Sequence, residues 1–177
     1  VPTAANATLI NLGGYAAKTA GGYTVFSGTS SAGSATLIAY GGSNGGDGGR
    51  IVFYDEALGG SARVQLFGNG ELDIGDHTGS VTLGALEMSG GIIVTQLGTN
   101  MTMLKLSEDL TLHSSQANFS FWKSDGGGFA FNSPYTILTS ANLSNFTAEQ
   151  FSGNTIEGIE PTFTLVGHAL KVSFLKE

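Results

Sequence analysis

Apolar residues along the chain recur in i, i+2 pairs: Val64/Leu66, Leu72/Ile74, Val81/Leu83, Ile92/Val94, Met101/Met103, Leu110/Leu112, Phe119/Phe121 and Phe129/Phe131. Alternation of this kind turns one residue in two toward a buried face, which is the pattern of a short β-strand. The pairs predict a strand about every nine or ten residues, Phe129/Phe131 included. A longer rhythm lies over the short one. Ala5-Asn-Ala-Thr-Leu-Ile-Asn-Leu-Gly-Gly14 is followed by Gly33-Ser-Ala-Thr-Leu-Ile-Ala-Tyr-Gly-Gly42 and then by Gly60-Ser-Ala-Arg-Val-Gln-Leu-Phe-Gly-Asn69. Ala7, Ala35 and Ala62 set a period of 27 or 28 residues by subtraction of their numbers. Three short strands fit in one such period. That combination predicts an all-β, three-sided parallel solenoid of about five coils, whose strands stack about 4.8 Å apart from coil to coil.

Differences between the copies set the register. Arg63 and Gln65 stand where the second copy has Thr36 and Ile38, and neither suits a dry core, so the inward sets are Ala35/Leu37/Ala39 and Ala62/Val64/Leu66. A second strand repeats as Tyr23-Thr-Val-Phe-Ser27 and Arg50-Ile-Val-Phe-Tyr54, with Phe26 and Phe53 again 27 residues apart. Ile51 and Phe53 therefore point inward, and Phe26 is expected to stack on Phe53. The glycine-dense run around Gly41–Gly49 is read as a corner, where φ > 0 and close backbone approach exclude a Cβ.

After about residue 140 the rhythm changes, dividing the chain into repeats over 1–140 and a C-terminal cap over 141–177. Thr147-Ala-Glu-Gln150 has capping-box spacing, predicting a short helical turn that stops at Gly153. Thr162 to Val166 and Ala169 to Phe174 flank Gly167-His168, a hairpin with a type II′ turn. Such a cap covers the exposed end of a solenoid.

Composition narrows the class further. The 177 residues include 28 glycines, no cysteine and a formal charge of −7. Without cysteine there is no disulfide framework or thiolate metal site. With the acidic balance there is no basic surface for nucleic acid or anionic membrane. No apolar run approaches the roughly 20 residues of a membrane span.

Residues 30–77, with the related copies over 5–83, resemble the passenger repeats of bacterial autotransporters and of glycine-rich, autotransporter-associated β-strand proteins. Tyr135-Thr-Ile-Leu-Thr-Ser140 and Phe163-Thr-Leu-Val-Gly-His-Ala-Leu-Lys-Val-Ser-Phe174 are similar to the closing segment of such passengers. The resemblance implies a right-handed parallel β-helix, export to the cell exterior or surface, and a stalk or adhesive role.

Several residues invite a chemical reading. The glycine run lacks the Gly-Lys-Ser/Thr ending of a phosphate-binding loop. Gly45-Gly-Asp-Gly-Gly49 and Gly68-Asn-Gly-Glu-Leu-Asp73 match pieces of a calcium-binding nonapeptide but do not recur at its short period. Asp73, Asp76 and His77 form a local acid and histidine group, read as turn residues without a catalytic role. His113 and His168 stand apart from any second ligand. Trp122, on the opposite face from Phe121, either packs under the cap or contacts a glycan.

The expected function is therefore a non-enzymatic extracellular rod with no cofactor or metal. A polysaccharide-binding or polysaccharide-degrading β-helix is the alternative. Only four residues precede the first repeat, which leaves the first coil as a self-association edge carrying Ala7, Leu9, Ile10 and Phe26. The expected partners are itself, adjacent passenger segments, and glycans or a host or cell surface.

Overall fold

The computed structural model of the protein describes residues 1–177, and its architecture is a parallel β-solenoid closed at one end by an antiparallel hairpin. On the first face, β1 (Thr8–Asn11), β3 (Thr36–Ala39), the first part of β5 (Arg63–Asp73), the first part of β7 (Ala85–Leu97) and β9 (Leu110–Leu112) pair in parallel. On the second face, β2 (Tyr23–Phe26) and β4 (Arg50–Phe53) are followed by the later parts of β5 and β7, then by β10 (Ala117–Lys123) and β12 (Phe151–Gly153). The third side holds β6 (Ser80–Leu83), β8 (Met103–Leu106) and β11 (Tyr135–Thr139), preceded by parallel bridges joining Thr3, Ser31 and Leu58.

Leu9, Leu37, Val64, Leu86 and Leu110 stack in one inward column. Five rungs bound four turns. The solenoid thus makes about four turns rather than five, because the count by repeats took every rung for a full coil. The expected inward sets around Leu37 and Val64 are buried, as are Ile51 and Phe53. Phe26 and Phe53 stack with centroids 4.9 Å apart and planes 16° from parallel.

Further along, the register departs from the sequence pattern. Ile93, Thr95 and Leu97 turn inward in place of Ile92 and Val94. Leu104 and Leu106 do so in place of Met101 and Met103. The turn from Leu37 to Val64 takes 27 residues, but that from Val64 to Leu86 takes 22, by subtraction of the paired positions. Residues lost at corners shift the phase, and a slip of one residue moves every side chain to the other face. Phe129 and Phe131 lie between β10 and β11, not in a strand, where their rings meet edge to face 5.2 Å apart.

Glycine allows the corners to stack directly. A Cβ on Gly41 would lie 2.9 Å from Gly68 Cα, and one on Gly90 would lie 2.8 Å from Gly68 N. The glycine-dense run is accordingly the corner between β3 and β4, bonded to the preceding coil through Gly14 N–H to the Asp47 carbonyl at 2.7 Å.

Near the C-terminus, the Thr147 N–H donates to Gln150 Oε1 at 2.9 Å, capping a single 3-10 turn over Ala148–Gln150. The turn ends at Phe151, sooner than the sequence suggests, because β12 begins there and stacks parallel on β10. Then β13 (Pro161–Val166) and β14 (Ala169–Phe174) form an antiparallel hairpin. Gly167 has φ +59°, and His168 is not in the positive-φ region, as a type II′ turn requires. In turn β14 pairs antiparallel with β11, which folds the hairpin against the solenoid. Phe119, Phe121, Phe163 and Phe174 gather beneath it, with Phe174 edge-on to Phe121 at 5.8 Å.

Candidate functional site

Successive coils place their corners one above another, so loops far apart in sequence build one wall. At the corner between the second and third sides, residues 76–79, 99–101 and 124–126 from three consecutive coils line a cavity of about 590 Å³, with Trp122 beside them. Trp122 sits on the outer face of β10, in register with Gln96 of β7. Its indole reaches back past Gln96 to the corner glycine two coils before. A Cβ at Gly75 would stand 2.6 Å from Trp122 Nε1, so only glycine gives the ring this seat. Gln96 is almost enclosed, and with its amide nitrogen turned inward it donates to the carbonyls of Gly75 at 3.1 Å and Asn100 at 3.0 Å.

The walls are tied from coil to coil. Thr99 donates through its N–H at 2.9 Å and its hydroxyl at 3.0 Å to the Gly127 carbonyl. The Thr78 N–H donates to the Asp55 carbonyl at 2.6 Å. His77 lines the cavity, yet its ring is buried and its Nε2 lies 2.9 Å from the Ala57 carbonyl. A carbonyl partner places the proton on Nε2, leaving Nδ1 a buried acceptor without a partner.

Asp73 does not join Asp76 and His77. It ends β5 on the outer face, where its carboxylate accepts from Arg50 Nη2 at 2.7 Å and from the Gly75 N–H at 2.9 Å. Arg50 also reaches Glu71 at 2.9 Å. Asp73 therefore holds the entrance to the Gly75 corner and is not a free acid. On the first face, Gln65 donates to Glu87 at 2.7 Å, and that bond, with one from His113, holds the Glu87 carboxyl below the ordinary carboxylate range. Arg63 pairs with Glu108. His168 lies in the hairpin turn, and the rings of His77 and His113 have other partners. No three acidic, histidine or cysteine side chains gather in metal-binding geometry.

The N-terminal edge is a second candidate surface. Thr36 and Tyr40 donate to the carbonyls of Ala7 and Asn11, so the odd-numbered residues of this strand face β3. By the alternation of a parallel ladder, the N–H and C=O groups of Thr8 and Ile10 point to the free edge. The same logic, from Arg50 to the Gly22 carbonyl and Tyr54 to the Phe26 carbonyl, frees those of Tyr23 and Val25. Ile10, Leu12, Tyr23 and Val25 are also exposed apolar side chains, at 55%, 64%, 73% and 43%. Ala7 is exposed and Leu9 half-buried, whereas the Phe26 ring is covered by Phe53 and its carbonyl accepts from the Tyr54 N–H, so Phe26 faces the next coil and not the edge.

Inside this edge lies a feature that the strand pattern did not announce. Asn11 occupies the inward position held by Ala39 and Leu66 in the next rungs. It is 4% exposed, accepts from Thr24 Oγ1 at 2.9 Å and reaches the Ile38 carbonyl at 3.4 Å. The signal was present in the repeat alignment as a polar residue in an apolar column.

Comparison of the chain with protein-family models, with curated proteins and with solved structures gives no match.

Proposed function

We propose that the protein is a non-enzymatic structural and adhesive module, a rigid solenoid displayed on or secreted from a bacterial cell in the manner of autotransporter passengers, which joins a further coil through its N-terminal edge. The observation that carries this reading is the edge itself. Two strands, β1 and β2, each pair on one side only, and three of the four residues whose backbone groups face the free edge, Ile10, Tyr23 and Val25, carry exposed apolar side chains. An open edge of this kind accepts another strand in register, with the backbone supplying affinity and the side chains supplying selection.

The outer face supports a structural role over a hydrolytic one. Stacked columns read Arg50, Glu71, Ile92 and Val52, Asp73, Val94, so no acid stands on an acid in the neighbouring rung. Between these strands no two carboxylates stand in the paired arrangement that glycoside hydrolysis ordinarily needs.

Sedimentation of the purified chain tests the edge. The parent protein is expected to form dimers or longer end-to-end species as its concentration rises toward about 1 mM, the range of weak strand addition. Ile10→Pro removes a free-edge N–H without touching the ladder to β3, so it should leave the protein monomeric with its thermal unfolding little changed. A parent that stays monomeric throughout that range refutes the edge assignment.

A further inference from the structure

The cavity beside Trp122 is lined in part by polar corner side chains that make no bond within the protein. We infer that it is a binding subsite for a glycan without acidic groups, spanning about two sugar units. The inference rests on the adhesive part of the function proposed above and supplies its ligand chemistry.

Three observations lead there. The first is geometry: the walls come from three consecutive rungs, so at about 4.8 Å per rung the groove runs for about 10 Å, the length of a disaccharide. The second is chemistry. Asp76, Thr78, Asn100 and Asp125 are exposed along the groove, and no side chain among them is bonded within the protein. Carboxylates and amides at this spacing take the vicinal hydroxyls of a sugar ring, each carboxylate accepting two. Trp122 adds an aromatic surface, whose negative π face attracts the C–H face of a pyranose.

The third observation is charge, and it selects the class. No lysine or arginine lines the cavity. The nearest in sequence, Lys123, points to the other face of β10, where it pairs with Glu157 and lies over the Phe129 ring at 5.9 Å. A uronate, sulfate or phosphate would meet Asp76 and Asp125 with no cation to offset them. Neutral hexoses, N-acetylated hexosamines and free amino sugars meet no such barrier.

Rigidity completes the case. The bonds from Thr99 to Gly127, Gln96 to Asn100 and Thr78 to Asp55 fix the walls before a ligand arrives, which lowers the ordering cost of binding.

Trp122 is the only tryptophan in the chain, so its fluorescence reports on the groove directly. The experiment titrates the intact protein with cellotetraose, laminaritetraose, mannotetraose, tetra-N-acetylchitotetraose and chitosan tetramer, with oligogalacturonate as the acidic probe. A saturable change with at least one of the non-acidic probes is expected. The exposed pair Asp76→Ala and Asp125→Ala should weaken it more than tenfold, and Asn100→Ala severalfold, with melting temperatures unchanged. Calorimetry on Trp122→Phe, which keeps a ring, should show weaker binding and exclude a signal artefact. Absence of a response to every non-acidic probe overturns the inference, as does equal or tighter binding of oligogalacturonate. Sedimentation of the same samples separates the two ideas: loss of saccharide binding with self-association intact removes the groove alone, and the converse removes the edge alone.

Discussion

At its C-terminal end the solenoid closes over a pile of aromatic rings, whereas at its N-terminal end the core thins to one ring and a hydrogen-bonded polar pair. Beneath the hairpin, Phe119, Phe121, Phe163 and Phe174 meet within 6.1 Å of one another in successive pairs, and Phe174 is fully buried. Across the first rung, Phe26 rests on Phe53 while Asn11 and Thr24 fill inward positions that later rungs give to Ala39, Leu66, Ile51 and Leu72. The two terminal layers of the stack differ in how much apolar surface they carry. One end covers its apolar layer, and the other reduces how apolar that layer is. On the reading proposed above, the polar pair limits indiscriminate hydrophobic association at this rung while its backbone edge accepts a strand.

The largest expected effect lies in the covered end. Phe174→Ala should cost about 3–5 kcal/mol, the usual range for emptying a fully enclosed phenylalanine site. Phe26→Ala should cost about 2 kcal/mol, because the first rung has solvent on one side and collapses into the space more readily. Equal losses in chemical denaturation would erase the contrast between the ends.

A double-mutant cycle at the open end comes next in size. Thr24→Val alone leaves the buried Asn11 carbonyl oxygen without its donor and should cost about 1–2 kcal/mol. Combined with Asn11→Leu, it should recover most of that loss, since replacing both partners removes the unmet hydrogen bond. The same double variant should aggregate at lower concentration than the parent. If light scattering shows no such rise, the polar pair does not guard the edge.

The smallest effect concerns acid. The hydrogen bond and charge of Lys123 hold the Glu157 carboxyl below its ordinary range. A lowered carboxylate contributes stability that is complete above the ordinary carboxylate range and is lost as the pH falls through the depressed value. Glu157 is exposed, so the change is small and local. Hydrogen exchange around residues 156–159 should quicken at acid pH and do so less in Lys123→Met, while the first rung, which has no ion pair, keeps its rate. Equal acid sensitivity in both variants would assign the loosening to other groups.

How much of this was visible in the sequence depends on the length of the coil. Where the copies keep their 27 or 28 residues, spacing alone places Leu37 over Val64 and Phe26 over Phe53. Where a turn shortens to 22 residues, the phase is set by corner geometry that no side-chain pattern encodes, and Ile92 and Met103 fall on the outer face. The groove suffers the same blindness. Trp122, Asp76 and His77 stand out individually, but their meeting depends on how many residues each intervening corner omits. Asp73 looked like a third member of that group because it is three residues from Asp76, yet the strand end turns it toward Arg50.

Parallel ladders running from rung to rung also give the molecule a mechanical character. Their hydrogen bonds lie along the solenoid axis, so a pull along that axis loads them in series, and failure proceeds one coil at a time from the weaker terminus. Each coil of some 27 residues would pay out about 90 Å of slack when it lets go, at about 3.4 Å per extended residue. Between its lighter first rung and its ring-filled last one, a pull along the axis should unspool the first coils before the last, lengthening the chain in steps while the clasped hairpin keeps hold.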